Sequence, residues 1–171
     1  MRERRTAQEA RRAREFEAFV AGAGGRLLHT ATLLTAEAPD DNPRARRLLT
    51  HALAHTYAYW DRLRGEDPYN RAREELAVRF ARGTWHRYVA LPLPWARRGP
   101  APSGALAGLA PQQRLVLVLR LFEGVAEEQV AALLGLPGER IHTICDRATT
   151  HLLHPPRGPA PARVRPKAAT S

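Results

Sequence analysis

The chain has 171 residues, enough for one medium domain or for two small ones that each bury a modest core. Lysine and arginine number 27 against 17 acidic residues, and a formal net charge of +10 favours a polyanionic partner such as nucleic acid. One cysteine, Cys145, excludes an internal disulfide and a cysteine-built zinc site, and no apolar run is as long as a membrane span.

Residues 1–15 mix arginines with Glu3, Glu9 and Glu15 and lack the apolar centre of a signal peptide, so they are expected to form a charged leader on a cytoplasmic protein. Phe16, Phe19, Val20, Ala23, Leu27, Ala31 and Leu34 then recur at helical spacing and predict one amphipathic helix over 16–34. The turn formers of 38–43 (APDDNP) end it. A second helix is predicted over 44–63, with Leu49, Leu53, Thr56, Tyr57 and Trp60 as its buried stripe, and a third over 71–87, carrying Leu76, Phe80 and Trp85.

The composition then changes. Residues 91–108 (LPLPWARRGPAPSGALAG) are rich in proline, glycine and alanine and suit an extended, flexible spacer, which divides the chain into an N-terminal helical domain (16–90) and a C-terminal one (109–154). In the latter, Pro111 opens a helix whose face is Leu115, Val118, Leu119 and Phe122, ended by Glu123-Gly124. A short helix over 126–134, the turn Gly135-Leu136-Pro137-Gly138, and a last helix with Ile141, Ile144, Cys145, Ala148 and Leu152 on one face follow. Two helices across a short glycine-bearing turn fit a helix-turn-helix, and equally an ordinary helical hairpin. Residues 155–171 hold Arg157, Arg163, Arg165 and Lys167, no acid and five prolines, and are expected to form a disordered basic tail. The fold class expected is therefore all-α, two helical domains joined by a proline-rich linker.

Three stretches in this order, FEAFVAGAGGRLLHTATLL (16–34), ALAHTYAYWDRL (52–63) and 109–153 with LAPQQRLVLVLRLFEGV and EEQVAALLGL, resemble the extracytoplasmic-function (ECF) sigma factors of bacterial RNA polymerase, in particular the actinobacterial type. The resemblance implies that the N-terminal domain binds core RNA polymerase and melts the minus 10 promoter element, while the C-terminal domain reads the minus 35 element. An anti-sigma protein is a further partner it implies; no cofactor, metal or membrane is implied.

The positions that would carry these roles depart from the family's pattern. Where the family docks on polymerase through an acidic, glutamine-bearing helix, this sequence has Arg44, Arg46, Arg47, Leu49, Thr50 and His51, a reversal of charge. Near the melted strand the family has an asparagine and an aspartate, which align with Arg79 and Gly83; Arg79, Arg82, Trp85, His86 and Arg87 are the candidates there for contacts to single-stranded DNA, or else Trp85 is buried and the arginines are solvated. In the last helix the exposed side presents Glu139, Thr143, Asp146 and Thr150, flanked by Arg140, His142 and Arg147, and the family's lysine and arginine align with His142 and Ile144. Candidate duplex contacts are Arg140, His142, Thr143 and Arg147.

Enzymatic readings find little in the sequence. There is no glycine-rich phosphate loop, GxSxG elbow or HExxH pair. His51 and His55 lie one helical turn apart with Asp61 as the nearest third ligand, an arrangement better read as solvated or capping histidines than as a metal site. Tyr57, Tyr59 and Trp60 read as a core stripe and not a ligand cage. Three functions follow, in order of preference: a sigma factor directing polymerase to promoters; a sigma-derived regulator that binds DNA or a protein without initiating transcription; and a small nucleic-acid-processing or metal-dependent enzyme.

Overall fold

The computed structural model describes residues 2–63, 65–89 and 102–155, with side chains for 4–63, 65–84 and 102–155. The described chain is all-helical: α1 (Arg2–Thr35), α2 (Pro43–Ala58), a single 3-10 turn (Trp60–Arg62), α3 (Pro68–Val89), α4 (Pro111–Leu117) continued by a wider turn (Val118–Phe122), α5 (Glu127–Leu134) and α6 (Gly138–Leu153). The charged leader does not stand apart, because α1 runs through it from Arg2. Residues 4–11 are exposed all round, and Arg12 is the first to dock: it forms an ion pair with Asp61 at 3.3 Å, donates to the Tyr57 carbonyl and lies over the Tyr57 ring. Beyond it, Phe16 packs on Tyr57 and edge-on against Trp60, and Phe19 packs on Trp60, so Tyr57 and Trp60 anchor the aromatic corner between α1 and α2.

The three N-terminal helices meet over Leu27, Ala31, Ala45, Ala52, Ala72 and Leu76, all fully buried. Alanines dominate this seam because a small side chain lets helix backbones approach closely; the expected Leu49 and Leu53 are half-buried at its edge, and Thr56 lies inside with its hydroxyl bonded to the Ala52 carbonyl at 2.9 Å.

A second core joins the two halves of the chain. Leu34 of α1 and Ala77, Phe80 and Ala81 of α3 share one buried cluster with Leu106, Leu109, Leu115 to Leu119, Val130, Ile141 and Ala148. Accordingly α4 packs against α1 and α3 as well as α6, and α5 packs against α3. Part of the expected spacer belongs to this core: Leu106 is buried, and the Ser103 and Gly104 amides donate to the Ala36 carbonyl at 3.0 and 2.9 Å. A Cβ on Gly104 would lie 2.3 Å from the Glu37 carbonyl oxygen, so the close approach requires glycine. The expectation of a free spacer is therefore corrected for 102–108, where apolar side chains and amide bonds hold the chain against the end of α1. The rest of the spacer, from residue 91 to 101, and the expected tail beyond Pro155 lie outside the described residues.

Three polar latches accompany this core. Glu37, buried after α1, accepts from the Arg44 and Ala45 amides, Arg44 Nε and Thr35 Oγ1, and so closes the N-terminus of α2. Buried Arg114 donates from Nε to the Leu34 carbonyl at 2.9 Å and from Nη1 to the Leu109 carbonyl at 2.8 Å. Glu123, its side chain wholly enclosed, accepts from Thr30, Tyr69 and Arg26. The wide turn explains this last placement. The Glu123 amide bonds to the Val118 carbonyl, five residues back, at 2.9 Å, which inserts one residue into the helical register. Phe122, expected on the buried face, is thereby rotated out to 38 % exposure beside His29, and Glu123 takes its place inside.

Candidate nucleic-acid interface

The site is built on α5, the turn and α6. Gly135, at φ 64°, ends α5 in the left-handed conformation, and the Leu136 amide returns to the Ala131 carbonyl at 3.0 Å. Pro137, extended at φ −60° and ψ 145°, then starts α6 at Gly138. Ile141, Ile144 and Ala148 are buried against α4 and α5, as the sequence pattern predicts; Cys145 is half-buried and burial pushes its thiol up, while Leu152 is exposed.

Seating that stripe inward turns Glu139, Arg140, His142, Asp146, Arg147 and Thr150 to the surface. At helical spacing Arg140 and Arg147 fall on one flank, two turns apart, about 10 Å along the axis, and His142 and Asp146 fall on the other. Neither arginine has an ion-pair partner among the described residues. Thr143 is partly buried and its hydroxyl donates to the Glu139 carbonyl at 2.8 Å. His142 is held between carboxylates, Nε2 3.1 Å from Asp146 Oδ2 and Nδ1 3.5 Å from Glu127 Oε2. Glu127, in the first turn of α5, was not among the site residues expected from the sequence. Its signal would have been its place at the start of the first helix of the pair, where an acid complements the helix dipole.

The N-terminal candidates separate. Arg79 forms an ion pair at 2.6 Å with Glu75, one turn earlier on α3, and it is Glu75 that reaches α2, meeting His55 at 3.3 Å. Arg82 is exposed; Trp85, His86 and Arg87 belong to α3, and their side chains lie outside the described residues. On α2, Arg46, Arg47, Thr50 and His51 are exposed and Leu49 is half-buried against the N-terminal core. Arg44 does not share that surface, because its guanidinium is spent on Glu37. Among the described residues no group of three His, Cys, Asp or Glu could hold a metal ion; His55 faces Glu75 and Asp61 faces Arg12 instead. No described helix is long and apolar enough to cross a membrane.

An exposed α6 carried by α5 across a tight glycine turn makes the C-terminal part a helix-turn-helix module. Residues 105–154 match the family described as Sigma-70, region 4, which supports a sigma-factor-like DNA-binding role in transcription. A comparison with curated proteins found no match.

Proposed function

We propose that the chain is a sigma-factor-like transcription protein of the ECF type that binds promoter duplex through α6, with Arg140 and Arg147 as the phosphate or guanine contacts and core RNA polymerase as its partner. The observation that carries this reading is the match of 105–154 to sigma region 4, coinciding with a helix-turn-helix whose exposed arginines fall on one flank of its second helix. Backbone contacts from such arginines supply most of the affinity, and forked contacts to guanine supply specificity. In this reading Arg82 with Trp85, His86 and Arg87 of α3 meets single-stranded DNA, and Arg46, Arg47, Leu49, Thr50 and His51 form the polymerase-docking surface. An anti-sigma protein, and a cytoplasmic location, belong to the same reading.

A second reading is favoured by one specific observation, the core shared by α1, α3 and α4. Two promoter elements some distance apart are read by two separated DNA-binding parts, and parting these halves exposes Leu34, Phe80, Leu106 and Leu115 and breaks the Glu123 latch. A sigma-derived regulator that binds DNA or a protein partner in the closed form needs no such opening. Promoter-dependent transcription with purified core polymerase separates the two. Specific transcripts that require the chain support the sigma factor; absence of both transcripts and core association at every protein ratio supports the regulator.

A further inference from the structure

The flank of α6 that carries Arg140 and Arg147 continues past them. Thr150 and His151 follow beside Arg147 at helical spacing, and with His154, the residue that ends the helix, they line one open groove. His151 is half-buried there, and a Cβ on Gly108 would lie 3.3 Å from its Nε2, so its ring stands as a wall against the docked segment 102–108. Arg147, Thr150 and His154 are exposed. Thr143 and Thr149 turn their hydroxyls back to the Glu139 and Cys145 carbonyls, at 2.8 and 2.9 Å, whereas the Thr150 hydroxyl makes no such bond. Among the described residues none of the four lining donors, Arg147, Thr150, His151 and His154, has a side-chain hydrogen-bond or ion-pair partner. A guanidinium, a hydroxyl and two imidazoles thus converge on one groove, all able to donate. The one acid of the lining is Asp146, whose Oδ2 lies 3.1 Å from His142 Nε2.

We propose that this groove is a phosphate subsite, in which Arg147, Thr150 and His154 converge on one backbone phosphate of the duplex that α6 reads. The inference rests on the reading that this module binds duplex DNA. Arg140 lies in the first turn, the part of a recognition helix that reaches base edges, and Thr150 lies ten residues, about 15 Å, further along the axis. The major groove is about 12 Å wide, so with the first turn at the bases the far end of the row reaches a bounding strand. A phosphate there offers only acceptor oxygens to these donors. The carbonyls at the end of α6 oppose it with about half a negative charge, but the Arg147 guanidinium brings a full positive one. The His154 amide also takes up the Thr150 carbonyl, at 2.9 Å. An imidazole has an N–H to give whether or not it is charged, so the contact does not depend on the ring's protonation.

The test is anisotropy of a fluorescent duplex with the full chain at fixed pH and moderate salt. Thr150→Val/His154→Ala, on two exposed positions, is expected to weaken binding about tenfold, the low end for hydrogen bonds to a charged group because the groove is open. Thr150→Ser keeps the hydroxyl and is expected to bind as wild type does. Because the donors share one phosphate with Arg147, the loss from Thr150→Val/His154→Ala should shrink to about twofold in an Arg147→Ala background and stay near tenfold in an Arg140→Ala background. Wild-type affinity in Thr150→Val/His154→Ala, a weakened Thr150→Ser variant, or equal losses in the two arginine backgrounds overturns the inference alone. Absence of duplex binding by wild type overturns the DNA-binding reading and the inference with it.

Discussion

The Tyr69 hydroxyl donates to Glu123 across 54 residues of chain, 2.9 Å from each carboxylate oxygen, and so fastens the start of α3 to the turn that ends α4. Burial, then the hydrogen bond and charge of Glu123, push the Tyr69 phenol from 10.0 up to about 12. A phenol whose folded value is raised contributes stability that is fully present below its unfolded value and lost as pH climbs through the folded one. Tyr69→Phe is therefore expected to cost about 1.5–3 kcal/mol at neutral pH, the range for a hydrogen bond to a charged group. The wild type should lose that advantage between pH 10 and about 12. Urea midpoints along the alkaline limb check this, and a variant as stable as wild type at neutral pH removes Glu123 as a latch.

The docking of 102–108 rests on a contact only glycine allows. Gly104→Ala drives a methyl into the Glu37 carbonyl, and overpacking of this kind costs about 1–3 kcal/mol. Proteolysis within 102–109 is expected to be slow in wild type and fast in the variant. Equal rates, with equal stability, would mean that this segment is held by something other than the Ala36 and Glu37 backbone.

Helix positions and the inward stripe of α6 were legible in the sequence because apolar spacing reports directly which side of a helix is dry. Leu76, Phe80, Leu115, Ile141 and Ala148 are where the pattern places them. What the pattern could not carry is the union of the two halves. It depends on Glu123 and Arg114, polar residues whose burial is decided by partners far along the chain, and on a wide turn that shifts register by one residue. Proline and glycine content suggested a free spacer, but content does not reveal that Leu106 and Gly104 find a surface to dock on. The candidate contacts on α6 were recognisable by helical spacing, whereas the two carboxylates that hold His142 required the placement of α5 beside it.

The arginines of α2 divide into a structural one and a surface pair. Burial pushes the Glu37 carboxyl up, but its four donors, the Ala45 and Arg44 amides, the Arg44 guanidinium and the Thr35 hydroxyl, outweigh this and leave it below its ordinary value of 4.5. Stability from this group is present above 4.5 and lost as pH falls through the depressed value. Arg44→Glu is therefore expected to destabilise the fold by about 3 kcal/mol, the lower end of the range for removing one partner of a buried ion pair, because the Arg44 side chain is partly exposed. Arg47→Glu, on an exposed position, should leave stability in urea nearly unchanged, and Arg46→Glu should lower it by about 1 kcal/mol because Arg46 Nε donates to buried Asn42 Oδ1 at 2.9 Å. The double variant should strengthen association with core polymerase in pull-down titrations. Unchanged or weaker association would remove α2 as the docking helix.

Duplex binding through the arginine flank of α6 is the claim on which the account turns, and a salt titration of the full chain against duplex DNA measures it directly. For wild type, log affinity should fall linearly with log salt, and Arg140→Ala/Arg147→Ala should make that slope shallower by about two, with affinity at least about tenfold lower at moderate salt. A double variant that keeps the wild-type affinity and slope would contradict the account, since whatever binding remained would then belong to another part of the chain.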